Sequence, residues 1–190
     1  MRKIFFTITL ILTILTATVF AAENSVDSKI NVRFQNMEKE IGKLLLEKNL
    51  TIACAESCTG GLLTSRLTDV AGSSAYVQGS VVSYSNEVKN SVLHVKEETL
   101  KNFGAVSEQT AREMAANVRQ LMKTDIGVSV TGIAGPGGGT AEKPVGTVYI
   151  GVSGSNGEKI QRFQFSGTRT EIKEKSVDAA LKMVKDYLTL

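Results

Sequence analysis

Apolar residues recur at helical spacing over 37–48, where Met37, Ile41, Leu44 and Leu45 fall on one face. An unbroken apolar run over 50–55 fits a buried strand. Ser57-Cys58-Thr59-Gly60-Gly61 then reads as a turn opening a helix through about Leu67, with Ser57 or Thr59 as its N-cap. Residues 77–84 are rich in β-branched positions and predict a strand. Short helices follow over 86–92 and 96–103, the second stopped by Gly104. Ser107 opens a longer helix to Met122; Thr110 stands where a capping box needs Glu or Gln, so Ser107 must cap largely alone. Residues 126–130 predict a clean buried strand, and 131–144 a loop holding five glycines and both prolines. Two strands, 145–152 and 159–165, flank a hairpin turn at Ser155-Asn156-Gly157. A C-terminal helix over 170–188 places Ile172, Val177, Ala180, Leu181, Val184 and Leu188 on its apolar side.

Helices and strands alternate and a hairpin follows, which predicts an α/β fold: a three-layer α/β/α domain with a mixed β-sheet. Ligands in such sheets gather outside the carboxyl ends of the strands. Two of those ends carry chemistry here, 55–61 and 131–139. There is no internal repeat and no block of like charge.

The N-terminus follows another logic. Met1-Arg2-Lys3 precedes an apolar run to Phe20, and Val19 and Ala21 supply the small residues of a cleavage site. Residues 1–21 are therefore expected to be a signal peptide, 22–36 a flexible leader, and 37–190 the folded domain. Cleavage would place the protein in the periplasm or outside the cell, with no stable membrane association. The alternative is an uncut N-terminal membrane anchor.

Composition narrows the function. The 190 residues are 42% hydrophobic and 22% charged, as for one ordinary globular domain. A formal charge of +3 with 6% aromatics and no Trp argues against a nucleic-acid partner. A single His excludes a multi-His metal site and makes a His-based triad hard to build, so no metal is expected. Cys54 and Cys58 are the only cysteines, and their predicted placement separates them too far for a bridge; two free thiols, at least one buried, are expected.

Ser57 sits between a strand and a helix, where a hydroxyl can face a cleft and helix N–H groups can stabilise an oxyanion. Equally, it could be an N-cap, with Gly60 and Gly61 serving packing. A nucleophilic serine needs a base. His94, between Leu93 and Val95, reads as a surface or packing residue. Lys89 lies one turn beyond Tyr84-Ser85-Asn86 and could face the same cleft; desolvated, it could accept a proton. The loop from Gly132 to Thr140 suits either an anion nest or a mobile surface loop. Arg169 and Lys173, four apart, could meet a phosphate or form a solvated basic face.

Taken together, Ala55-Glu56-Ser57-Cys58-Thr59-Gly60-Gly61, Tyr84-Ser85-Asn86 with Lys89, Gly104-Ala105-Val106-Ser107 and Val130-Thr131-Gly132-Ile133-Ala134-Gly135-Pro136-Gly137-Gly138 resemble the CinA C-terminal domain family, in the family's order and over about 37–188. The enzymatic members are nicotinamide-nucleotide amidohydrolases of the PncC type. The resemblance implies deamidation of nicotinamide mononucleotide to nicotinate mononucleotide and ammonia, without cofactor or metal. It implies Ser57 as nucleophile, Lys89 as general base and Tyr84 as support for the pair or wall of the ring pocket. Thr59, Gly60, Gly61, Asn86, Thr131, Gly132, Gly135, Gly137, Arg169 and Lys173 would then bind substrate, and a homo-oligomer is implied. Two positions depart from the family: Thr168 replaces an acid, and Lys173 stands where a second Arg is usual. They keep open a non-catalytic nucleotide-binding module and an amidase for another small amide.

Overall fold

A computed structural model describes residues 37–190. The expected signal peptide and leader lie outside the described residues. Helix α1 covers 37–47. Strand β1 (Ile52–Glu56), α2 (Leu62–Thr68), β2 (Val77–Val82), α3 (Asn86–Ser91), α4 (Glu97–Phe103) and α5 (Glu108–Leu121) follow. Strands β3 (Ile126–Gly132), β4 (Thr147–Gly154) and β5 (Gly157–Gln164) precede the long α6 (Arg169–Leu188).

The sheet order is β2-β1-β3-β4-β5. Strand β1 runs parallel to β2 and β3, and β4 is antiparallel to β3 and β5, so the sheet is mixed. Every residue of β1 is buried, and its side chains divide between two apolar clusters. Ile52 and Cys54 join Ile41, Leu63 and Leu181 under α1, α2 and α6, while Ala53 and Ala55 join Met114 and Val118 under α5. Helix α5 approaches the sheet closely. A Cβ on Gly127 would lie 2.1 Å from the Ala115 carbonyl oxygen, and Ser129 uses its hydroxyl to bond Ala111 O at 2.6 Å.

This topology positions the site. Glu56 pairs with Val82 on one side and Val130 on the other, so the carboxyl ends of β1, β2 and β3 lie side by side. Strand β5 ends at the same edge, because it is antiparallel to β4, and α6 therefore starts there.

Several expectations are corrected. Neither Ser57 nor Thr59 caps α2: its N-cap is Gly61, at φ 99°, without a side-chain cap bond. Strand β3 continues to Gly132, so Thr131 and Gly132 are strand rather than loop. The hairpin turn is shorter than expected, Ser155-Asn156, since Gly157 already pairs with Gly154. Ser107 does cap α5, accepting from Thr110 N at 3.2 Å.

Candidate active site

Ser57 leaves β1 with its backbone N–H bonded to Val130 O at 2.9 Å. Its hydroxyl lies 2.9 Å from Lys89 Nζ. Lys89 sits on α3, a helix begun by Ser85, whose Oγ accepts from Val88 N at 3.2 Å. Only 1% of Lys89 is exposed. Its amine also donates to Ser83 O at 2.6 Å, which holds the flexible side chain in place. Burial lowers the Lys89 pKa to about 8. A lysine in that state is uncharged often enough to take a proton from a hydroxyl near neutral pH.

The surrounding walls are inert. Both cysteines are free and buried. Desolvation pushes each thiol up to about 12, so Cys58 remains a neutral wall beside the pair. Thr59 is buried, and its Oγ1 has no hydrogen-bond partner among the described residues. Gly60 and Gly61 adopt φ of 64° and 99°, a conformation that favours glycine and lets the chain turn sharply between Ser57 and α2.

The N-terminal amides of α2 are not available to a ligand, contrary to expectation. Glu56, fully buried, accepts from Gly61 N at 3.0 Å, Leu63 N at 3.0 Å and Thr64 N at 2.9 Å, and from the Thr64 hydroxyl at 2.7 Å. The N–H groups of Cys58 and Thr59 carry no partner among the described residues.

The implied ring-pocket and binding residues divide into four groups. Tyr84, 62% exposed, accepts from Arg169 Nη2 at 2.6 Å rather than bonding Ser57 or Lys89. Arg169 Nη1 donates to Gly135 O at 2.7 Å, so Tyr84, Arg169 and the glycine loop are fastened together. Lys173 reaches the Ser57–Gly61 turn from α6: its Nζ lies 4.0 Å from where a Cβ on Gly60 would stand. Thr131 and Gly132 serve the scaffold. The Thr131 hydroxyl is spent on Ala105 O at 2.8 Å, and a Cβ on Gly132 would lie 2.7 Å from Val148 Cγ2. Asn86 and Gly137 are exposed. His94 is exposed at φ 52°, where its carbonyl accepts from Asn117 at 3.2 Å. Among the described residues no three His, Cys, Asp or Glu side chains gather as a metal site would require.

Sequence reasoning missed Glu56 and the Ser83 carbonyl. The carbonyl leaves no trace in residue identity. Glu56 did have a signal, an acidic side chain at a predicted strand end directly before the serine, where it must find donors or go uncompensated.

Comparisons with known proteins agree on the family. The model of the CinA C-terminal domain matches residues 34–188. A CinA-like protein of Endomicrobium trichonymphae is 53% identical over 147 residues, covering 77% of this chain and 34% of its own length. Another CinA-like protein, from Chlorobium limicola, is 50% identical over 157 residues, with 80% and 37% covered. The chain thus spans little more than a third of the curated relatives it matches. The crystal structure of the competence/damage inducible protein CihA from Agrobacterium tumefaciens superposes with a TM-score of 0.80 at 42% identity, covering 83% of this chain and 96% of that one.

Proposed function

The chain belongs to the CinA C-terminal domain family, and on that premise we propose that it is a serine amidohydrolase deamidating nicotinamide mononucleotide to nicotinate mononucleotide and ammonia. The observation that carries this reading is the buried pair of Ser57 Oγ and Lys89 Nζ at 2.9 Å, with the amine's pKa lowered to about 8.

The chemistry balances with these groups. Neutral Lys89 takes the Ser57 proton while Oγ attacks the carboxamide carbon. The C–N bond then breaks, and the ammonium of Lys89 returns the proton to the departing nitrogen, which leaves as ammonia. Water enters, gives a proton to Lys89 and attacks the acyl-serine; Ser57 regains its proton from Lys89, and the product leaves as the carboxylic acid, which ionises to the carboxylate by giving its proton to solvent. The unpartnered N–H groups of Cys58 and Thr59, the two residues after the nucleophile, are the main-chain donors for the oxyanion. Arg169 and Lys173 supply positive charge for the phosphate, and the exposed Tyr84 ring offers a face to the pyridine.

A second reading, an amidase for a smaller uncharged amide, draws on the engagement of Arg169 by Tyr84 and Gly135 and on the single ammonium of Lys173. A third, nucleotide binding without turnover, rests on the same residues. We further propose that the protein acts outside the cytoplasmic membrane, after cleavage behind Ala21, as a homo-oligomer.

Ammonia release decides among these readings. The protein with nicotinamide mononucleotide should release ammonia, and Ser57→Ala and Lys89→Ala should each lose that activity while remaining folded. Unchanged turnover in Ser57→Ala removes the mechanism. Calorimetric binding without release favours the binding module, and release from small amides alone favours the second reading.

A further inference from the structure

Glu56 takes no part in the proton transfers, yet it is linked to both halves of the catalytic pair, to Ser57 as its chain neighbour and to Lys89 through Ser83. Its main-chain carbonyl accepts from Ser83 N at 2.8 Å, and the carbonyl of Ser83 in turn accepts from Lys89 Nζ at 2.6 Å. Its side chain reaches the far end of the turn that follows Ser57, where Gly61, Leu63 and Thr64 donate to it. Between those anchors the chain is weakly held. Gly60 N bonds back to Ser57 O at 3.1 Å, and two consecutive glycines at positive φ supply no side chain to brace it. A fully buried carboxylate is costly unless its oxygens are met, and all four donors converge on this one.

We propose that Glu56 is a positioning residue, whose carboxylate clamps the Cys58–Gly61 turn onto α2 and so holds Ser57 within reach of Lys89. The same contacts withdraw the first amides of α2 from substrate and leave the N–H groups of Cys58 and Thr59 as the donors that follow the nucleophile. This inference rests on the serine amidohydrolase reading.

Glu56→Gln tests it at nearly constant volume, because the amide turns an NH2 towards backbone N–H groups. Such a displacement should lower kcat by about 100-fold. KM should stay within about threefold, since the phosphate and ring contacts lie elsewhere. Glu56→Asp should recover part of kcat. Thr64→Val, which removes only the hydroxyl donor, should lower kcat by about tenfold. A folded Glu56→Gln with kcat within about threefold of wild type overturns the proposal, as does a rise in KM with kcat intact. If Glu56→Gln does not fold, Thr64→Val decides by the same criteria. If the wild type releases no ammonia, the substrate reading fails by itself. Glu56 is then judged by a crystal structure of the variant that folds: Ser57 Oγ still within about 3.5 Å of Lys89 Nζ overturns the proposal, and separation supports it.

Discussion

Lys89 shows how one residue can trade stability for reactivity. Its burial disfavours the charged amine, which is what a base near neutral pH requires. In the unfolded chain the same amine titrates near its ordinary value, 10.5. Between about 8 and 10.5 the unfolded chain therefore binds more protons than the folded one, and stability rises with pH across that window. Below about 8 the penalty is present in full. Two outcomes are expected. The acid limb of kcat/KM should bend near pH 8, read from initial rates of ammonia release. Lys89→Met should be inactive yet melt above wild type at pH 7, and the gap in Tm should narrow as the pH is raised through that window. A melting point below wild type at pH 7 would refute the account. From spacing alone Lys89 looks like any helical surface lysine. Its position one turn beyond Tyr84-Ser85-Asn86 admits a cleft-facing placement and the family motif singles it out, but the holding carbonyl of Ser83 is absent from any side-chain pattern.

At the scale of elements, the apolar periodicities locate the described helices and strands, whereas the ends are set by contacts no periodicity encodes. Helix α2 takes its cap from Glu56, five residues ahead of its first amide partner, so the turn sequence points wrongly to Ser57 and Thr59. Helix α6 is the opposite case. Thr168 and Glu171 form a full capping box, and their Thr-x-x-Glu spacing is a plain sequence signal. The family resemblance leads one to expect an acid where Thr168 stands; locally Thr168 starts the helix that carries Arg169 and Lys173. Helices α1, α2 and α6 are joined by Arg66. It donates to Glu38 through Nε at 2.6 Å and pairs with Asp178 through Nη1, with Glu38 almost wholly buried. Removing the cation leaves two carboxylates without their shared partner, so Arg66→Ala should cost about 3 kcal/mol. For a domain of this size that lowers Tm by about 10 °C in a calorimetric melt. Replacing Arg66 and Glu38 together by Met should cost less than Arg66→Ala, because the almost wholly buried carboxylate goes with its cation and only the half-buried Asp178 is left without it. Equal losses in the two variants would show that packing rather than charge compensation dominates.

For the molecule as a whole, the decisive feature is that parallel β1, β2 and β3 end together. Three distant stretches, 56–61, 83–89 and 130–135, thereby share one edge, and α6 brings a fourth. The alternation of helical and extended segments makes this class of sheet legible in sequence, but not the order β2-β1-β3, which depends on which strands pair. Both apolar clusters and every group of the candidate site belong to residues 37–190. Among the described residues no helix is long and apolar enough to cross a membrane. If residues 1–21 are the expected signal peptide, the proposed chemistry should run without them. Protein beginning at Ala22 should keep kcat/KM within about twofold of the full chain and melt in one cooperative transition. Protein recovered from cells expressing the full chain should begin at Ala22 by N-terminal sequencing and stay in the supernatant after membranes are pelleted. A start at Met1 with the protein in the membrane pellet would instead establish the anchored form. Loss of activity in the shortened protein would mean that the site is completed from outside the described fold.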